Sequence, residues 1–168
     1  MIEIGKIVNV AGKDFIVLDS NNESTLCLAK DFVFTAQFDQ NSCNYRHSEL
    51  RDKISGIFLK KIIREIGEEN ICKIEIDLTS DDGLDDYGKI YTGCGLLTCD
   101  IYRKYNRIIE QYPVLGWWWL ATPYSTEHRD HSRYVRCVCS FGTFNYFNCD
   151  FVIGVRPFVN FKTSIFNL

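Results

Sequence analysis

Apolar residues change their spacing repeatedly along this chain, and those changes restrict its fold more than any other feature. Leu50, Ile54, Ile57, Phe58, Ile62 and Ile66 recur at spacings of three and four, the repeat of one helix face. Ser48 is a suitable N-cap and Gly67 a suitable C′ residue, so a helix is expected over 48–66. Before it, residues 2–35 read as a β-meander. Ile2–Val10 and Lys13–Asp19 flank Ala11-Gly12, Asn21-Asn22 turns the chain into Thr25–Ala29, and Phe32–Thr35 extends the sheet. After it, Cys72, Ile74, Ile76 and Leu78 alternate with Lys73, Glu75 and Asp77, the period of a half-buried strand. Thr98 caps a second expected helix with Ile101, Tyr102, Tyr105, Ile108 and Ile109 on one face, stopped by Pro113. The last third reads as strands Trp117–Ala121, Tyr134–Phe141, Phe144–Asn148 and Phe151–Val155, with a polar loop over Thr122–Arg133. Helices set between groups of strands predict an α+β fold with two main helices, not a parallel α/β sheet.

At 168 residues the chain has the size of one domain and can bury a core without disulfides or metals. The expected organisation is an N-terminal β-element over 1–35 joined to a domain over 36–168, packed as one unit. There are 19 basic and 22 acidic residues, a net charge of −3. Without a basic excess, direct nucleic-acid binding is not expected, and a protein partner is. The first residues lack the pattern of a signal peptide, and no apolar run approaches the roughly 18–20 residues of a membrane span. A cytoplasmic location follows as an expectation. There the eight cysteines are expected to stay reduced and pack as small hydrophobes.

The spacing of the acidic, histidine and cysteine residues completes no catalytic or metal motif. Placing Gly83 at position 6 of an EF-hand loop puts Leu78 at position 1 and Lys89 at position 12, so Asp81, Asp82, Asp85 and Asp86 do not form one. They read instead as a solvated or partner-contacting acidic loop. His128, His131, Cys137 and Cys139 are zinc-type ligands without a Cys-x-x-Cys pair. There is no Gly-x-Ser-x-Gly elbow, no P-loop and no complete dinucleotide fingerprint. The expectation is a chain with no catalytic residue, no metal and no cofactor.

Aromatic density sets the sequence apart. Trp117, Trp118 and Trp119 are consecutive, so on a strand two face one way and one the other. Such a strand lies between two layers or exposes a ring. Trp118 is expected to be a surface contact, with Trp117 and Trp119 structural. Tyr124, His128, Arg129, Tyr134 and Tyr146, in or beside loops, complete the expected binding set with the four aspartates.

Trp118-Trp119-Leu120-Ala121-Thr122-Pro123 and Gly154-Val155-Arg156-Pro157-Phe158 resemble the signatures of an uncharacterised family of Firmicutes and phage proteins. Asn44-Tyr45-x-x-Ser48-x-Leu50-Arg51 and Leu96-Leu97-Thr98-x-Asp100-x-Tyr102 resemble that family as well, so the likeness spans residues 44–158. Its Gly-Val-Arg-Pro ending is similar to the closing strand of C-type-lectin-like domains related to formylglycine-generating enzymes. The resemblance implies a C-type-lectin-like mixed sheet in which Arg156 is a buried, bidentate-paired structural guanidinium. The family's Arg and Ser are Ala121 and Thr122 here, and the enzymes' copper-binding cysteines have no counterpart.

A non-catalytic protein-binding module is therefore expected, using the aromatic surface between Ala121 and Asp150. Its particular form would be a phage or prophage inhibitor of a host defence system, anti-CRISPR-like, holding a host nuclease effector. The alternatives are a glycan- or cell-surface-recognising lectin-like domain and a thiol- or metal-dependent enzyme.

Overall fold

The computed structural model describes residues 1–167. Its first hairpin joins β1 (Ile7–Val10) to β2 (Lys13–Ser20) through Ala11 and Gly12, whose φ angles are 52° and 72°. Positive φ at both turn residues is the type I′ geometry that matches strand twist. The Asn21 side chain accepts from the amides of Glu23 and Ser24 and turns β2 into β3 (Ser24–Ala29). β4 (Phe34–Ala36) follows.

Strands β5 (Ile74–Asp77) and β6 (Lys89–Thr92) form a separate hairpin. β7 (Cys94–Gly95) follows β6. β8 (Trp118–Pro123), β9 (Tyr134–Val138), β10 (Phe144–Asn148), β11 (Ile153–Val155) and β12 (Phe158–Lys162) complete the chain. Two five-stranded sheets result, ordered β1-β2-β3-β12-β7 and β10-β9-β8-β11-β4. The first is antiparallel; the second is mixed, because β11 runs parallel to β8. The three strands within residues 7–29 thus share a sheet with β12, whereas Phe34 and Thr35 belong to the second sheet beside β11. Strand β12 lies beyond the last strand expected from sequence.

Ser48 caps the first helical segment by accepting from the Arg51 amide, and the Gly67 amide closes it on the Ile63 carbonyl. Between these ends the expected regular helix is divided. α1 (Glu49–Lys53) passes into a π-helical stretch, Ile54–Leu59, and then into α2 (Lys60–Ile66). The buried positions are Leu50, Ile54, Phe58 and Ile62, spaced by four. In a straight α-helix each step of four turns the stripe by about 40°. The wider π turn, built around Ser55-Gly56, offsets that drift and keeps the stripe on the core. The expectation of two main helices is corrected accordingly. The one regular α-helix of more than seven residues among those described is α3 (Cys99–Ile109), capped by the Thr98 hydroxyl.

The core lies between the sheets and these helices. Tyr45 donates no surface contact; its hydroxyl accepts from the Leu96 amide at 3.2 Å, and its ring packs against Phe38, which packs against Trp119.

Candidate functional site

β9 alternates inward Val135 and Cys137 with outward Tyr134 and Arg136. Across the hairpin, Tyr146 of β10 lies opposite Arg136. At the end of β8 the Tyr124 amide donates to the Tyr134 carbonyl at 2.9 Å. This register and this hydrogen bond bring three tyrosines together. The Tyr124 and Tyr146 ring centroids are 4.8 Å apart, and Tyr134 lies 5.5 Å from Tyr146 and 6.3 Å from Tyr124. The Arg136 guanidinium sits 5.2 Å from the Tyr124 centroid and 5.9 Å from that of Tyr146, within reach of a cation–π attraction.

The acidic loop is fastened to this face. Arg136 Nε donates to Asp81 Oδ2 at 2.7 Å, and the Asp81 amide donates to the Pro123 carbonyl at 2.9 Å. Asp82 accepts from the Ser80 hydroxyl and, at 2.7 Å, from the Ser125 hydroxyl; Arg129 lies 3.5 Å away. The Ser80 hydrogen bond, helped by Ser125, holds the Asp82 carboxyl below the usual aspartate range. Thr126 donates to Asp86 at 2.9 Å. Behind this clasp, Tyr87 donates to Glu127 at 2.5 Å and lies 3.4 Å from the Cys43 sulfur. Burial pushes Cys43 up to about 12, and burial with its Cys43 and Glu127 hydrogen bonds pushes the Tyr87 phenol up as well.

Of the expected contact residues, the structure joins Tyr124, Tyr134, Tyr146, Arg129, Asp81, Asp82 and Asp86 in one region. Asp85 is exposed on the same loop with no side-chain partner among the described residues. His128 is exposed, but His131 is the histidine whose ring approaches a tyrosine, 6.4 Å from Tyr134. Trp118 is a correction. It is buried, edge-on to Tyr102 at 5.8 Å and 5.2 Å beneath the Arg156 guanidinium, so it is not a surface contact. The reason is that both faces of β8 are covered. Trp119 is buried and donates to the Ala36 carbonyl at 3.0 Å; Trp117, half-buried, packs on Phe147 at 4.9 Å.

Arg156 is buried, and its partners are carbonyls: Nε donates to Ala29, and Nη2 to both Lys30 and Tyr112. Arg136, Ser80, Ser125, Thr126 and Glu127 were absent from the sequence-derived set. The outward alternation of Tyr134 and Arg136 was the available signal; for the Ser125 and Thr126 hydroxyls there was none, because their partners lie about forty residues away in the chain.

Seven of the eight thiols are buried, and Cys72 is half-buried. Burial raises Cys27 and Cys94, and raises Cys137 to about 12. Cys139 differs: burial works against its thiolate, but hydrogen bonds from Thr143 and the backbone amides of Phe141, Thr143 and Gly142 outweigh it and lower the pKa. Among the described residues no group of three His, Cys, Asp or Glu side chains is placed to hold a metal ion, and no helix is long and apolar enough to cross a membrane. Compared with protein-family profiles, curated proteins and solved structures, the chain matches none.

Proposed function

We propose that the protein is a non-catalytic binding module and that the face of Tyr124, Tyr134, Tyr146 and Arg136 docks another protein. One observation carries the reading. Two distant segments, 80–87 and 122–131, are hydrogen-bonded to each other, Arg136 of β9 is tied to Asp81, and beside this clasp Tyr124, Tyr134 and Tyr146 cluster at the surface. Tyrosine and arginine are the residues that dominate protein interfaces, and pre-ordered side chains lose little entropy on docking.

The particular form we propose is a cytoplasmic phage or prophage inhibitor of a host defence nuclease, on a C-type-lectin-like scaffold of the Firmicutes and phage family that the sequence resembles. Support comes from the way the four sequence motifs meet. Tyr45 holds Leu96, Tyr102 packs on Trp118, and Arg156 covers Trp118. Long loops pinned to a mixed sheet are what such a scaffold requires. Asp81, Asp82 and Asp86 are already engaged within the chain. The aromatic face is therefore placed ahead of the charge.

The test is capture of a nuclease effector by tagged protein. Tyr124→Ala combined with Tyr146→Ala should abolish capture, and Asp85→Lys should leave most of it. The opposite pattern would move the contact to the loop's charge and overturn the tyrosine face.

A further inference from the structure

On the other side of the molecule, Asp19 lies opposite Leu26, and Leu26 opposite Asn160, in one row across β2, β3 and β12. A register shift between Val17 and Asp19, an extra residue in β2, sets this row. Bulges of this kind re-aim side chains. The row floors a cavity of about 300 Å³, walled by Ile74 and by Ile101 and Tyr105 of α3, with Lys104 at its rim.

Asn160 is the unusual member. It is 3% exposed, yet its carboxamide has no hydrogen-bond partner among the described residues, although buried polar side chains are normally paired. Among the described residues no side-chain N or O shut off from solvent lacks a partner. The free amide atoms are therefore reached from the cavity that Asn160 lines. Asp19 is partly engaged: one oxygen accepts from Tyr105 at 2.8 Å and the other from the Ser20 amide at 2.9 Å. A carboxylate has about four acceptor sites, so about two remain. Asn160 and Asp19 are two strand spacings apart, about 10 Å, with the half-buried Leu26 between them.

We propose that this cavity binds a free mononucleotide, with the base edge on Asn160, the ribose hydroxyls on Asp19 and the phosphate at Lys104. A carboxamide presents a donor and an acceptor in one plane, which matches the edge of a nucleobase, adenine above all. Leu26, Ile74 and Ile101 supply apolar walls for the base faces. A carboxylate is suited to accept from ribose hydroxyls, and a rim ammonium to meet a phosphate. The volume is at the small end for ligand pockets and admits one nucleotide.

The test is calorimetric titration of the full chain with adenosine 5′-monophosphate, the other three common nucleoside monophosphates, adenosine and a diadenosine dinucleotide. Saturable binding of the adenine monophosphate is expected. Asn160→Leu, checked for folding by circular dichroism, should weaken it roughly tenfold or more. Lys104→Ala, at an exposed helix position, should weaken the monophosphate and leave adenosine unchanged, which keeps the test independent of how Asn160→Leu folds. No binding of any monophosphate at millimolar concentration would overturn the proposal. So would monophosphate binding indifferent to both substitutions, or tighter binding of the dinucleotide.

Discussion

Replacing Arg156 with methionine separates a structural guanidinium from a binding one. Methionine keeps much of the aliphatic volume and removes three donors, which sit 2.8, 2.8 and 3.0 Å from the carbonyls of Ala29, Lys30 and Tyr112. Hydrogen bonds from a charged donor contribute about 1.5–3 kcal/mol each, so about 5–9 kcal/mol is lost. Removing the cation also relieves its burial, which brings the Arg156 pKa down to about 10. Against an ordinary arginine value of about 12.5, that relief is about 3 kcal/mol. The difference leaves a net destabilisation of about 2–6 kcal/mol, a large part of a typical domain's stability. With a urea slope of about 2 kcal/mol per molar, the unfolding midpoint should fall by about 1–3 M. Tryptophan fluorescence should change as well, because Arg156 covers Trp118. Arg156→Lys should fall between, since one ammonium cannot serve three separated carbonyls. A midpoint within about 0.3 M of wild type for Arg156→Met would refute the structural role.

The Asp82 clasp should loosen in acid. Its folded-state pKa is depressed, so its contribution is present above the ordinary aspartate value and lost as pH falls through the lower, folded one. Hydrogen exchange at residues 124–131 should rise at that pH in wild type, and Asp82→Asn should remove the pH dependence. Iodoacetamide at neutral pH should modify the half-buried Cys72 first, and Cys139, 8% exposed with a lowered thiol pKa, more slowly, with Cys27 and Cys94 labelling only on unfolding; peptide mapping that found Cys27 modified in folded protein would contradict the burial argument. Gly154→Ala should destabilise by about 1–3 kcal/mol, because the added carbon would meet the Phe32 ring at 2.5 Å. Phe32→Ala in the same chain should reduce that penalty, read as a coupling between the two sites.

The alternating and helical periods of the sequence marked where elements lie, because burial on one face imposes its repeat locally. Ser48, Thr98 and Gly67 marked helix ends for the same reason: caps are local chemistry. What the periods could not convey was pairing between distant strands. β12 joins β3 from the far end of the chain, and that pairing merges the expected N-terminal element with the C-terminal strand. The division of the 48–66 helix was written in the strict spacing of Leu50, Ile54, Phe58 and Ile62 by four, a period too long for a straight α-helix. At the site, Tyr134 and Tyr146 were legible as aromatics in or beside loops, whereas Trp118 was misplaced because a tryptophan run does not reveal that both faces of its strand are covered. The clasp of Ser125 on Asp82 and Thr126 on Asp86 depends on tertiary proximity alone.

The binding-module account is tested most directly by quantitative pull-down from a Firmicute host lysate, comparing wild type with the folded Tyr124→Ala, Tyr146→Ala double variant. One partner in stoichiometric amount, a nuclease effector, retained by wild type and lost by the variant, is the predicted result. Equal capture of that partner by both proteins would contradict the account.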